Sequence, residues 1–146
     1  VQNFTADDYT KACEALCSEY QLVALHCPMK LREKFDELAM LELFYAEPII
    51  ANPADGYWCY EVTDSSGISL RFGMDVIQES VQIDLKISNL SVVTLSFEMV
   101  EAIEIIDAEK GTFAFTVAPK SQEINTKVQV ELRPQIKIEG ATLRSY

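Results

Sequence analysis

From Tyr57 onward, apolar and polar residues alternate in short segments. Ile68, Leu70 and Phe72 fall on one parity with Ser69 and Arg71 on the other, and Val81, Ile83, Leu85 and Ile87 repeat this against Gln82, Asp84 and Lys86. A period of two marks a strand with one buried face. The same pattern recurs in Trp58-Tyr60-Val62, Val93-Leu95-Phe97, Ile103-Ile105, Phe113-Phe115-Val117, Val128-Val130-Leu132 and Ile136-Ile138. Turn residues separate the segments: Asp64-Ser65-Ser66-Gly67, Asn89 and Ala108-Glu109-Lys110-Gly111. Gly73 to Glu79 is expected as a connection, Glu98 to Glu101 as a single helical turn and Pro119 to Thr126 as a loop. Pro134 suits the approach to an edge strand. The spacing predicts about seven or eight short, mostly hairpin-linked strands.

Before Tyr57 the period lengthens. Thr5 can cap a helix whose first turn holds Asp7 and Asp8, and Tyr9, Cys13, Leu16, Cys17, Tyr20 and Ala24 then follow at three- and four-residue spacing. Pro28 is a suitable first residue for a second helix, marked by Leu31, Phe35 and Leu38. Met40 to Tyr45 reads equally as the end of that helix or the start of a strand. Glu47-Pro48 stops a helix in either case, and Asn52-Pro53-Ala54-Asp55-Gly56 is a turn cluster. The expected fold class is α+β, in one domain spanning 1–146. Residues 1–50 are mainly helical and 57–140 mainly antiparallel strands, with the helices packed on a sheet or the strands closed into a barrel.

Charge narrows the partners. The net charge of −11 disfavours nucleic acid and anionic membrane surfaces. Residues 1–56 carry 10 acids against 4 bases and residues 57–118 carry 10 against 3, whereas residues 119–146 carry 3 against 5. An acidic surface must therefore come from the first two segments. No apolar run approaches the ~18 residues of a membrane span. The four cysteines, in a chain long enough to bury its own core, are expected as free, buried thiols in a reducing compartment, with disulfides the alternative for an even count, and the location is expected as cytoplasmic.

Catalytic motifs are missing. His26 is the sole histidine, and neither a nucleophile elbow, a His-Glu-x-x-His pair, a dinucleotide fingerprint nor a phosphate loop occurs. Cys13, Cys17, His26 and Cys27 would be the residues for a zinc ion, but their spacing lacks the usual short knuckle, and core thiols are the expectation. No enzyme activity, cofactor or metal is expected. Candidate interface residues come from charge instead. Glu98, Glu101, Glu104, Asp107 and Glu109 form the densest acidic run, and Asp64, Asp75, Glu79 and Asp84 lie in or near neighbouring turns. Tyr57, on the opposite parity from Trp58 and Tyr60, is expected to face outward beside acids. Such a patch is either a solvated face or a docking surface for a basic partner.

Three segments carry a family likeness: Leu41-Glu42-Leu43-Phe44-Tyr45-Ala46-Glu47-Pro48, Val100-Glu101-Ala102-Ile103-Glu104-Ile105, and Val130-Glu131-Leu132-Arg133-Pro134-Gln135-Ile136-Lys137-Ile138, with Leu143 following. Over about residues 41–143 the chain resembles immunity proteins of bacterial contact-dependent growth inhibition systems. The resemblance implies a small cytoplasmic inhibitor that binds a delivered toxin domain, and a nuclease with a basic cleft would fit the acidity. It transfers no binding residue position by position. The alternatives are a secretion chaperone holding an effector segment and a small hydrophobic-ligand carrier. The late chain is strand-like where such chaperones have a long dimerisation helix. The large inner residues Phe72, Phe97, Phe113 and Phe115 would fill a small barrel rather than leave it hollow.

Overall fold

The computed structural model describes residues 29–30, 36–118 and 123–144. In chain order these form β1 (Met29–Lys30), α1 (Glu37–Phe44), β2 (Ile50–Asn52), a 3-10 turn (Pro53–Asp55), β3 (Tyr57–Thr63), β4 (Ile68–Asp75) and β5 (Ser80–Ile87). Then follow β6 (Leu90–Phe97), β7 (Val100–Asp107), β8 (Thr112–Val117), β9 (Ile124–Glu131) and β10 (Lys137–Arg144). The α+β class holds, with one described helix against an antiparallel strand system. The described strands do not close into a barrel. They form two open five-stranded sheets, ordered β1-β7-β8-β9-β10 and β2-β3-β4-β5-β6.

The two apolar faces meet at the centre. Phe72 of the second sheet lies with its ring centroid 5.0 Å from that of Phe113 in the first, edge to face, and 6.2 Å from that of Phe115. Phe97 meets Phe115 at 5.3 Å. Leu70, Met74, Val81 and Ile83 complete one wall, and Val100, Ile103, Ile105, Val128 and Val130 the other. Each such side chain contributes about 1.5–3 kcal/mol on burial. Tyr60 and Trp58 belong to the same core, as their parity predicts. Burial pushes the Tyr60 phenol up to about 12, helped by Glu37 and Glu47.

Several expectations need correction. Met29 and Lys30 are a strand paired with Ile103 and Ala102, where the second helix was expected. The helix begins after Asp36, whose carboxylate accepts the Ala39 N–H at 3.1 Å, and it includes the ambiguous Met40–Phe44. Ala39, Met40, Leu43 and Phe44 make its buried face, and Phe44 stacks on Tyr60 at 4.8 Å. Leu38 points to solvent, 64% exposed. Glu98 and Met99 make a two-residue bend from one sheet to the other with Met99 at φ 59°, not a helical turn. Strand β4 runs on to Asp75 and β9 starts at Ile124, so both expected loops are shorter than drawn. Strand β10 is an edge strand, as Pro134 indicated. The helix expected from Thr5 and the Cys13, Cys17, His26 and Cys27 set lie outside the described residues.

Asp64 joins the two sheets. Its carboxylate accepts the N–H groups of Ser66 (2.9 Å) and Ile68 (3.0 Å) in its own hairpin turn and that of Ile136 (2.9 Å) from the β9–β10 connection. Burial works to raise its pKa, but the N–H donors of Ile136, Ile68, Ser66 and Gly67 outweigh it and hold the carboxyl below 3.8. A depressed folded-state pKa gives stability that is present above the unfolded value and lost as pH falls through the folded one. Asp64→Asn, which turns one acceptor into a donor facing an N–H, is expected to cost about 1–2 kcal/mol at pH 7. It should also remove part of the stability lost on acidifying below 3.8. Parallel urea titrations of both proteins from pH 7 to 2 check this, and identical pH profiles would refute it.

Candidate functional site

Strand pairing brings the connections 53–56, 76–79 and 98–99 to one end of the sandwich, where β8 also ends, at Val117 opposite Val100. Tyr57 is in register with Asp75, and Val81 with Phe97, so the strands they terminate end level. Hydrogen bonds lock the connections side by side. The Val76 N–H donates to the Gly56 carbonyl at 2.9 Å, the Val100 N–H to the Glu79 carbonyl at 2.9 Å, and the Ala118 N–H to the Met99 carbonyl at 3.2 Å. Asp75 shapes its turn by accepting the N–H groups of Ile77 (3.0 Å) and Gln78 (2.8 Å). Gly56 sits at φ 68° with Ile77 above it, and a β-carbon there would come within 2.8 Å of the Ile77 side chain.

This end is acidic and carries apolar tips. Asp55, Asp75, Glu79, Glu98 and Glu101 lie in or beside the three connections, and residues 53–57, 75–80 and 97–101 contain no Lys or Arg. Among these carboxylates Ile77 is 57% exposed and Met99 54% exposed. Four of the carboxylates, Asp75, Glu79, Glu98 and Glu101, were expected from the sequence to share a surface. Asp55, Ile77 and Met99 were not. Ile77 and Met99 carry a sequence signal, each being an apolar residue within two positions of an acid in a connection between strands.

The other candidates lie elsewhere. The run from Glu98 to Glu109 follows β7, about 25 Å of extended chain at 3.3 Å per residue, so it is a band and not a patch. Glu104 lies in register with Ala114 on the outer face of the first sheet. Asp107 closes the β7–β8 turn by accepting the N–H groups of Glu109 (3.0 Å) and Lys110 (3.2 Å), at the end remote from Glu98. Asp64 is at that remote end as well, beside the β9–β10 connection.

Tyr57 and Asp84 lie on the outer face of the second sheet. Asp84 is opposite Arg71 and accepts the Thr94 hydroxyl at 2.7 Å, and Arg71 reaches Glu61 at 3.7 Å. Tyr57 is half-buried, its hydroxyl above Gly73, where a β-carbon would stand 2.8 Å away. It covers Cys59, a free thiol only 1% exposed. Burial, and then the neighbouring Cys59, raise the Tyr57 pKa; burial likewise raises that of Cys59, against the hydrogen bond from Tyr57 and the charge of Arg71. A thiol held protonated under a ring is a packing element, not a nucleophile.

Among the described residues, no group of three or more His, Cys, Asp or Glu is placed to hold a metal ion, and no helix is long and apolar enough to cross a membrane. No family model and no curated protein matches the chain. Among solved structures, it is similar to a chain of the contact-dependent growth inhibition toxin–immunity protein complex from Klebsiella pneumoniae 342. The two share 21% sequence identity and a TM-score of 0.69, over 79% of this chain and 100% of that one. The segment likeness noted in the sequence thus has a counterpart in three dimensions: the chain has the fold of a member of that complex.

Proposed function

We propose that this chain is an immunity protein that binds a cognate toxin domain and neutralises it by occupancy. The observation that carries the reading is the fold correspondence over the full length of a chain from a toxin–immunity complex. The family likeness of segments 41–48, 100–105 and 130–138 supports the immunity side of that pair. The partner is a basic domain, a nuclease by preference, and the acidic end occludes its active site. A nuclease cleft must attract a polyanion, so a surface of carboxylates held by short, hydrogen-bonded turns is suited to compete for it. Glu98, Glu101, Asp75 and Glu79 are the residues assigned to this contact, with Asp55 beside them.

Affinity capture from the source organism, washed at low and then high salt, should retain one basic protein in near-stoichiometric amount. Producing that protein alone should arrest growth, and co-producing this chain should restore it. Failure to restore growth removes the immunity reading. With the purified pair, Glu98→Lys plus Glu101→Lys is expected to slow association roughly 10–100-fold at low ionic strength. The effect should shrink in 1 M salt, where the screening length falls to about 3 Å. Glu104→Lys, away from that end, should change the rate far less. Equal rates for all three proteins would show that the acidic end is not the contact surface.

A further inference from the structure

An acidic surface alone attracts any basic protein, and a specific inhibitor needs more than attraction. The acidic end supplies it in Ile77 and Met99. Other exposed apolar side chains, such as Ile87 opposite Leu90 with Val92 and Val93 beyond it, group on the β5–β6 hairpin, whereas these two stand in turns joined by the Val100–Glu79 hydrogen bond, in segments that also hold Asp75, Glu79, Glu98 and Glu101. Both are held in place. Ile77 is seated over Gly56, and its N–H is fixed by Asp75. Met99 occupies a left-handed position, φ 59°, that its neighbours impose through the Val100–Glu79 and Ala118–Met99 hydrogen bonds. An unbranched thioether adapts to irregular surfaces, and an apolar centre within a charged rim is the usual anatomy of a docking surface.

Resting on the reading above, we propose that Ile77 and Met99 are the apolar anchors of the contact. The segment they receive is basic and presents an aliphatic side chain between Lys or Arg residues. The rim carboxylates set the encounter rate by attraction, and burial of the aliphatic side chain between the two anchors sets the lifetime of the complex. A segment that is only basic is attracted but not retained.

The test uses the full chain, ¹⁵N-labelled, titrated with two synthetic peptides, Lys-Arg-Leu-Arg-Lys and Lys-Arg-Ser-Arg-Lys, at equal ionic strength. The leucine peptide is expected to bind about ten-fold more tightly, the effect of partly burying one aliphatic side chain. Its shifts should be confined to residues 53–57, 75–80 and 97–101. Ile77→Ser with Met99→Asn should abolish the preference and leave the rest of the amide spectrum in place; asparagine suits the left-handed position. Glu98→Gln with Glu101→Gln should weaken both peptides alike. Equal affinity for the two peptides, or shifts centred elsewhere, overturns the proposal. Restoration of growth by the wild-type chain is a separate readout, so the anchors can fail while the immunity reading survives, and the reverse.

Discussion

Phe72→Ala is expected to lower stability by about 4 kcal/mol and the melting temperature by roughly 10 °C. The size follows from where the ring stands. It is fully buried, with Phe44 of α1 at 5.8 Å, Phe113 at 5.0 Å and Phe115 at 6.2 Å. Those neighbours come from the helix and from the opposite sheet, so alanine opens a cavity where three elements meet. Collapse into that cavity would require the two sheets to approach, and their spacing is set by every other side chain in the layer. Phe72→Leu, which keeps most of the volume, should cost less than half as much. Urea unfolding at pH 7 checks both, as a fall in midpoint with an unchanged slope. A loss under about 1 kcal/mol for the alanine variant would mean that the sheets are not packed as described.

The strands were legible because each buries one face, and a period of two survives in the sequence whichever sheet a strand joins. What the pattern does not encode is the partner. Val93-Leu95-Phe97 and Ile103-Ile105 read alike, yet β6 pairs with β5 in one sheet, and β7 with β8 and β1 in the other. The change of sheet occurs in two residues, Glu98 and Met99, and it leaves only a misplaced apolar residue as its mark. The helix boundary failed for a related reason. Pro28 and Leu31 fit a helical start locally, but Met29 and Lys30 are claimed by a pairing with residues more than seventy positions away.

The candidate site was legible by half. Charge counts located the acids but took chain proximity for surface proximity, and β7 carries its carboxylates from one end of the sandwich to the other. Asp64, Asp75 and Asp107 show why single acids in turns are weak signals. Each accepts backbone N–H groups of its own turn, so each has a structural use whatever the partner. What separates Asp75 from Asp64 and Asp107 is company. The connections at the Asp75 end hold four other carboxylates and no base in the segments 53–57, 75–80 and 97–101, whereas Asp107 is followed by Lys110 and Arg133 binds the Ala108 and Glu109 carbonyls of its turn.

Arg133 is the residue at which the remote end is expected to be most vulnerable. Its guanidinium donates to three carbonyls at once: Nε to Glu109 at 2.8 Å, Nη1 to Leu43 at 2.9 Å and Nη2 to Ala108 at 2.7 Å. It also lies 3.7 Å from the centre of the Tyr45 ring. Leu43 is in the last turn of α1, where carbonyls have no intrahelical partner, and Tyr45 ends that helix at φ 54°. One side chain thus closes the helix, pins the β7–β8 turn and joins both to the β9–β10 connection. Arg133→Ala should cost about 3 kcal/mol, leaving part-buried carbonyls unpaired and the ring uncovered. Arg133→Lys should recover less than half, because an ammonium cannot reproduce a planar fork that also stacks. Because the partners are carbonyl dipoles and a ring, the loss should be nearly the same in 0.1 M and 1 M salt. A salt-dependent loss would instead mean that Arg133 acts as a free positive charge among the carboxylates of this end.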